Sequence, residues 1–102
     1  MITAQRRIAL FGLGQTLATP GALQALGDAD LPPSAYLRRH QTGDWGDLDD
    51  HDKLANARAM GDGSRILSAY HLPDSTKIWG ITDAADDIGH RASTTVLLPN
   101  EY

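Results

Sequence analysis

Apolar residues recur along this chain with two different spacings, and the change of spacing divides it. An opening run, "RRIALFGLGQTLA", reads as an interrupted strand. Leu13, Gln15 and Leu17 alternate with smaller residues, and Gly12 and Gly14 mark a bend or a close backbone approach. Helical spacing follows. Thr19-Pro20 is a capped helix start, Ala22, Leu23 and Leu26 form its apolar stripe, and Gly27 ends it. "DADLPP" turns into a second helix from about Pro33, with Tyr36, Leu37 and His40 on one face and Gly43 as its stop. A third helix spans about Asp49 to Met60, with Leu54 and Ala57 as its thin apolar side and "GDGS" at its end. From Arg65 the period shortens. "RILSAYHL", "KIWGIT" and "STTVLL" are rich in β-branched and aromatic residues and predict a three-stranded antiparallel meander. The expected fold is one α+β domain over residues 1–102, in the order β-ααα-βββ. Three short helices cover one face of a three- to four-stranded antiparallel sheet, which the first strand joins.

Composition narrows this picture. With 102 residues, 41% of them hydrophobic and 22% charged, the chain fits one modest core. It holds no cysteine, which excludes disulfides, thiolate nucleophiles and cysteine-ligated metals, and suits a reducing cytoplasm. The longest apolar runs, such as "IALFGLG", are far too short to span a bilayer. "ATPGA" reads as a helix start and not as a leader cleavage site. The expected location is cytoplasmic, with no membrane partner.

Charge is unevenly placed. Residues 1–43 carry four arginines against Asp28 and Asp30, whereas residues 44–62 carry six aspartates against Lys53 and Arg58. This acidic middle argues against broad nucleic-acid binding, which needs a basic footprint. Twelve of the thirteen acids are Asp, a residue suited to caps and turns, so each is read first as structural.

Three places hold candidate chemistry. "RRHQTGDWGDLDDHD" gathers Arg38, Arg39, His40, Asp44 and Trp45 as candidate binding residues. A calcium loop fails there in both registers. Counted from Asp44, the third and fifth places are Gly46 and Leu48; counted from Asp47, the sixth and twelfth are Asp52 and Arg58. Zinc would need His40, Asp44 and His51 without a helical His pair. A structural joint is the better account: arginines close one helix, aspartates open the next, and Trp45 anchors the corner. No metal and no cofactor is expected. The second place, "DAADDIGHRASTT", carries Asp86, Asp87, His90 and Arg91 between two strands. A titrating histidine beside a phosphate-holding arginine could cleave RNA without metal, with Thr94, Thr95 and Tyr70 orienting the phosphate. A solvated hairpin loop is the competing reading. Third, His71 ends a strand near Trp79 and Tyr70, which are expected to face the core or the helix layer; either one, if exposed, is an interface candidate. A Ser68–His71–Asp74 triad lacks a nucleophile elbow and is discounted. "Gly-Leu-Gly" lacks the remainder of either nucleotide-loop pattern.

"LGQTLATPGALQAL", "LRRHQTGDWGDL", "RILSAYHLPDSTKIWGITDA" and "STTVLLPNEY" resemble a family of small bacterial proteins of plasmids and integrative elements. Its members bear names such as "plasmid-related protein" or "type I restriction endonuclease subunit M". The resemblance runs from about Leu13 to Tyr102. The chain departs from the family's compact turn at "TDAADDIGHRAS", which is longer and adds His90. A DNA methyltransferase needs a glycine-rich cofactor turn and an Asn/Asp-Pro-Pro-aromatic motif, and neither is present. The resemblance carries over no catalytic residues.

The resemblance and the acidic middle together imply a non-enzymatic accessory protein of a mobile element, acting on another protein, with anti-restriction or anti-CRISPR inhibition as one form. The alternative is a small metal-independent ribonuclease toxin of barnase-like fold using His90, Arg91, His71 and Arg65. A further alternative is a nucleic-acid-binding module using Arg6, Arg7, Arg38 and Arg39.

Overall fold

The structure, a computed structural model, describes residues 8–102. Strand β1 is Gln15–Ala18, and helices α1, α2 and α3 are Pro20–Asp28, Pro33–Gln41 and Asp50–Asp62. Strands β2, β3 and β4 are Ile66–His71, Lys77–Thr82 and Ser93–Leu97, followed by a short 3-10 turn, Pro99–Glu101. This is the expected α+β order. The sheet runs β1-β4-β3-β2. Strands β2, β3 and β4 form the antiparallel meander, while β1 lies parallel to β4, so the sheet is mixed and not wholly antiparallel. A parallel pair requires a long crossover, and the three helices and the first two meander strands supply it.

The local signals act as their chemistry requires. Thr19 caps α1 by accepting from the Ala22 N–H, and Asp49 caps α3 by accepting from the Asp52 N–H at 2.8 Å. Gly63, in the left-handed region at φ 79°, closes α3. The only glutamate fastens the C-terminal turn to α1. Glu101 accepts from the Thr19 hydroxyl at 2.5 Å, the Gly21 N–H at 3.0 Å and the Leu98 N–H at 2.9 Å. These bonds, the Thr19 hydroxyl first, hold its carboxyl below the usual carboxylate range.

The core lies on one sheet face. Ala22 and Leu26 of α1 and Tyr36 of α2 pack with Tyr70, Ile78 and Val96, and Tyr36 meets Tyr70 at 5.2 Å between ring centroids. Two expected stripes differ. Leu23 of α1 is exposed, and the buried positions of α3 are Asn56 and Ala59, while Leu54 and Ala57 face outward. The reason is the position of α3 beside the edge of β2. There the Asn56 side chain donates to the Leu67 carbonyl at 2.6 Å and accepts from the Leu67 N–H at 3.1 Å. A buried strand edge must be satisfied, and an amide matches a peptide group in both donor and acceptor.

The same edge is covered further along by the backbone near Trp45. Gly46 bridges Ala69, the Asp47 N–H donates to the Ala69 carbonyl at 2.7 Å, and the Ala69 N–H donates to the Trp45 carbonyl at 3.1 Å. Gly46 sits at φ 73°, and a Cβ there would collide with the Ala69 carbonyl oxygen and reach 2.6 Å from Tyr70 Cδ1. Gly46→Ala is therefore expected to cost about 2–3 kcal/mol, because φ is positive and the Ala69 carbonyl, a backbone group, cannot rotate away. Urea unfolding of the two proteins checks this, and equal midpoints would refute the close approach.

Candidate functional site

The Arg38–Asp52 stretch is the corner between α2 and α3, and its side chains scatter. Arg39 Nε donates to Asp44 Oδ2 at 2.7 Å, and the Asp44 bond favours the charged guanidinium. That guanidinium lies 4.5 Å from the centroid of the Tyr70 ring. Both partners of the ion pair are about a third exposed or more, so the pair itself contributes at most about 1 kcal/mol. The Tyr70 hydroxyl, donating to the Asp44 carbonyl at 2.6 Å, holds the corner from inside. Burial raises the Tyr70 phenol above its ordinary value. Trp45 is half buried, stacked on Phe11 at 6.3 Å and edge-on to His40 at 5.9 Å. Arg38 points to solvent. Among the described residues, no three His, Asp or Glu side chains gather as a metal would require.

His40, which the sequence grouped with this corner, is 1% exposed and belongs to the core. Its Nδ1 meets the Ser68 hydroxyl, and its Nε2 meets Thr82 Oγ1 at 2.8 Å. Thr82 Oγ1 contacts Thr94 Oγ1 at 2.7 Å, and Thr94 donates to the Leu13 carbonyl at 2.8 Å. The proton positions follow from counting. Thr94 has one hydroxyl proton and gives it to Leu13, so Thr82 must donate to Thr94. Thr82 then accepts from His40 Nε2–H, and Nδ1, left bare, accepts from Ser68. Ser68 is thus the partner of His40, and His71 lies elsewhere. Burial pushes His40 down to about 4, which keeps it neutral in this polar thread.

The loop carrying His90 and Arg91 borders a cleft of about 400 Å³, whose walls include Phe11, Gly12, Met60 and Gly63. Asp86 organises the loop by accepting from the Ile88 and His90 N–H groups at 3.0 and 2.8 Å, and these bonds, His90 first, lower its carboxyl. The His90 ring is exposed, with Nδ1 3.9 Å from Asp86 Oδ2. Arg91 is buried and engaged. Its Nη1 donates to the Ser64 and Asp83 carbonyls at 2.7 and 3.0 Å, and its Nη2 to the Ala59 carbonyl at 3.0 Å. The two other residues of the ribonuclease set lie away from this cleft. His71 Nδ1 pairs with Asp47 at 2.5 Å, and Arg65 donates to the Tyr102 hydroxyl at 2.6 Å. Thr94 is in the core thread, Thr95 is on the opposite sheet face, and Tyr70 is under the helices. Arg6 and Arg7 lie outside the described residues.

The sheet face turned away from the core is a third candidate; Tyr70 faces the helices as expected, whereas Trp79, expected there too, lies half buried on this outward face. Strand register aligns Leu17, Thr95, Ile81 and Leu67 in one row across all four strands, with Trp79 beside it between Leu97 and Ala69. Leu17 is 43% exposed, and Thr95, Ile81, Leu67 and Trp79 are half buried. Tyr102 lies edge-on to Trp79 at 5.8 Å, and the Arg65 guanidinium lies over the Tyr102 ring. The buried side chains of α1 and α2 all pack on the other face. A signal existed in "KIWGIT", where Ile78 and Trp79 are consecutive large apolar residues. A strand with both faces apolar has something to cover on each side.

No protein-family model matches the chain, and neither a curated protein nor a solved structure shows significant similarity to it.

Proposed function

We propose that the protein works by binding another protein, as an accessory factor of a mobile genetic element, with inhibition of a restriction or CRISPR system as its specific form. The observation that supports this reading is the outward sheet face. A row of Leu17, Thr95, Ile81 and Leu67 beside Trp79, rimmed by Arg65, Lys77 and Tyr102, has the composition of an interface centre with a polar border. Trp, Tyr and Arg are the residues that most often dominate binding energy. Of the candidate catalytic groups, Arg91, Thr94 and Tyr70 are buried and occupied in holding the fold.

The experiment is transformation of an unmodified plasmid into a restricting or CRISPR-bearing host that expresses the protein. Efficiency is expected to rise at least about tenfold, and Ile81→Asp, which places a carboxylate in the middle of the row, is expected to remove the gain. Unchanged restriction in such hosts, with no partner recovered from them, would defeat the reading.

One observation favours a ribonuclease: His90 and Arg91 border the same cleft. That reading expects growth arrest on expression, relieved by His90→Ala.

A further inference from the structure

The two edges of this sheet are treated differently by the chain. The β2 edge is occupied, by the Asn56 amide at Leu67 and by the Gly46 bridge at Ala69. The β1 edge is bare among the described residues. The Gln15 N–H donates to Ala92 and the Thr19 N–H to Val96, both toward β4. In a parallel ladder, alternate residues then turn their peptide groups outward, and in β1 these are Thr16 and Ala18. Four neutral residues, Gln-Thr-Leu-Ala, form this edge. The strand is short, at four residues, but it has no charge, no proline and no bulge to block pairing.

We propose that the outer edge of β1 joins two copies of this chain, β1 pairing antiparallel with β1 of the second copy about a two-fold axis at Leu17. The register is self-complementary. With the axis at Leu17, Thr16 faces Ala18 of the second copy, and these are the residues whose N–H and C=O groups point outward. Each such pair exchanges both backbone hydrogen bonds, and Leu17 falls opposite its own copy in the close, non-hydrogen-bonded position. Leu17 is 43% exposed and carries no charge, so the axis brings together two apolar side chains without repulsion.

Two further features agree with this occupant. A groove of about 180 Å³ runs along the edge between Thr16, Ala18 and the α2 residues Pro33 and Leu37, giving the core side of the added strand an apolar floor. On the outward face, pairing extends the Leu67–Ile81–Thr95–Leu17 row into its counterpart, making one continuous, largely apolar stripe across both copies. An isologous contact of this kind closes after two copies, which removes the edge and leaves no strand to propagate. The inference goes beyond the proposed function, since it concerns the sheet edge and does not depend on what the face binds.

Sedimentation equilibrium and amide exchange test it on the full chain. At concentrations on the order of 100 µM a dimer is expected, dissociating on dilution. The Thr16 and Ala18 amides should become at least about tenfold more protected as the dimer forms, while amides of the occupied β2 edge stay unchanged. Leu17→Lys places like charges at the axis and is expected to weaken association at least about tenfold. A monomer at every concentration overturns the proposal and leaves the edge to a foreign strand. A dimer whose Thr16 and Ala18 amides exchange as in the dilute protein also overturns it, as does one that Trp79→Ala dissolves while Leu17→Lys does not. If Leu17→Lys fails to fold, exchange in the unaltered protein decides. Ile81→Asp should remain dimeric, so loss of partner binding and loss of self-association are read separately.

Discussion

Acidification from about pH 6.5 to about pH 4 is expected to remove about 3 kcal/mol of stability through one residue, His40. The folded protein holds its imidazole neutral down to about 4, because a buried ring among Phe11, Trp45 and hydroxyl groups has little to solvate a charge. The unfolded chain takes up the proton near the ordinary value of about 6.5. Below that pH the unfolded state gains a proton that the fold refuses, so stability falls as pH drops and levels off near the folded value. The difference between about 6.5 and about 4 corresponds to about 3 kcal/mol. The carboxylates whose values the fold depresses, among them Asp86 and Glu101, lose their contributions only as pH falls through their folded values, below the usual carboxylate range. The two windows therefore separate. His40→Gln is the control: urea midpoints of the two proteins should converge toward acid, and parallel slopes would refute the assignment. His40→Ala should be worse at neutral pH, by about 3–5 kcal/mol, because it opens a cavity and strands the Ser68 and Thr82 hydroxyls. Nitrogen chemical shifts at pH 7 should show the proton on Nε2, the tautomer that the Thr94–Leu13 bond dictates.

That histidine illustrates where the sequence was legible. Its place on the apolar face of α2 with Tyr36 and Leu37 was plain from spacing, and burial of Tyr36 and His40 followed. Its partners were not plain, since Ser68, Thr82 and Thr94 lie on three strands whose register no local pattern announces. Caps could be read because they act within a turn: Thr19 and Asp49 start the helices they were expected to start. The meander could be read because β-branched runs and turn residues are local too. The parallel pairing of β1 with β4 joins positions nearly the length of the chain apart, and alternation within β1 carries no information about direction. Leu54 and Ala57 misled because α3 was read as covering a core. The helix instead seals a strand edge, a task for Asn56, which hydropathy scores as polar.

Arg91→Met is expected to destabilise the protein by about 3–5 kcal/mol, although the sequence places this arginine in an exposed loop. Arg91 is 8% exposed, and its Nη groups donate to the carbonyls of Ala59, Ser64 and Asp83. Ala59 lies in the last turn of α3, where its carbonyl already accepts from the Gly63 N–H at 3.0 Å and the dipole favours a cation as a second donor. A planar group with several donors can serve the helix end, the chain leaving it and the strand-to-loop junction at Asp83 together. Methionine matches the stem but leaves these acceptors without a charged donor, and charge-assisted bonds are the stronger kind. Lysine has one nitrogen in place of the fork, so Arg91→Lys should recover only part of the loss. Thermal unfolding of the three proteins checks the order. The measurement also separates structure from chemistry at the cleft. A phosphate-binding arginine could be replaced with loss of activity and little loss of stability, whereas an arginine that fastens α3 to the β3–β4 loop cannot. An Arg91→Met protein as stable as its parent would return this side chain to the candidate active site beside His90.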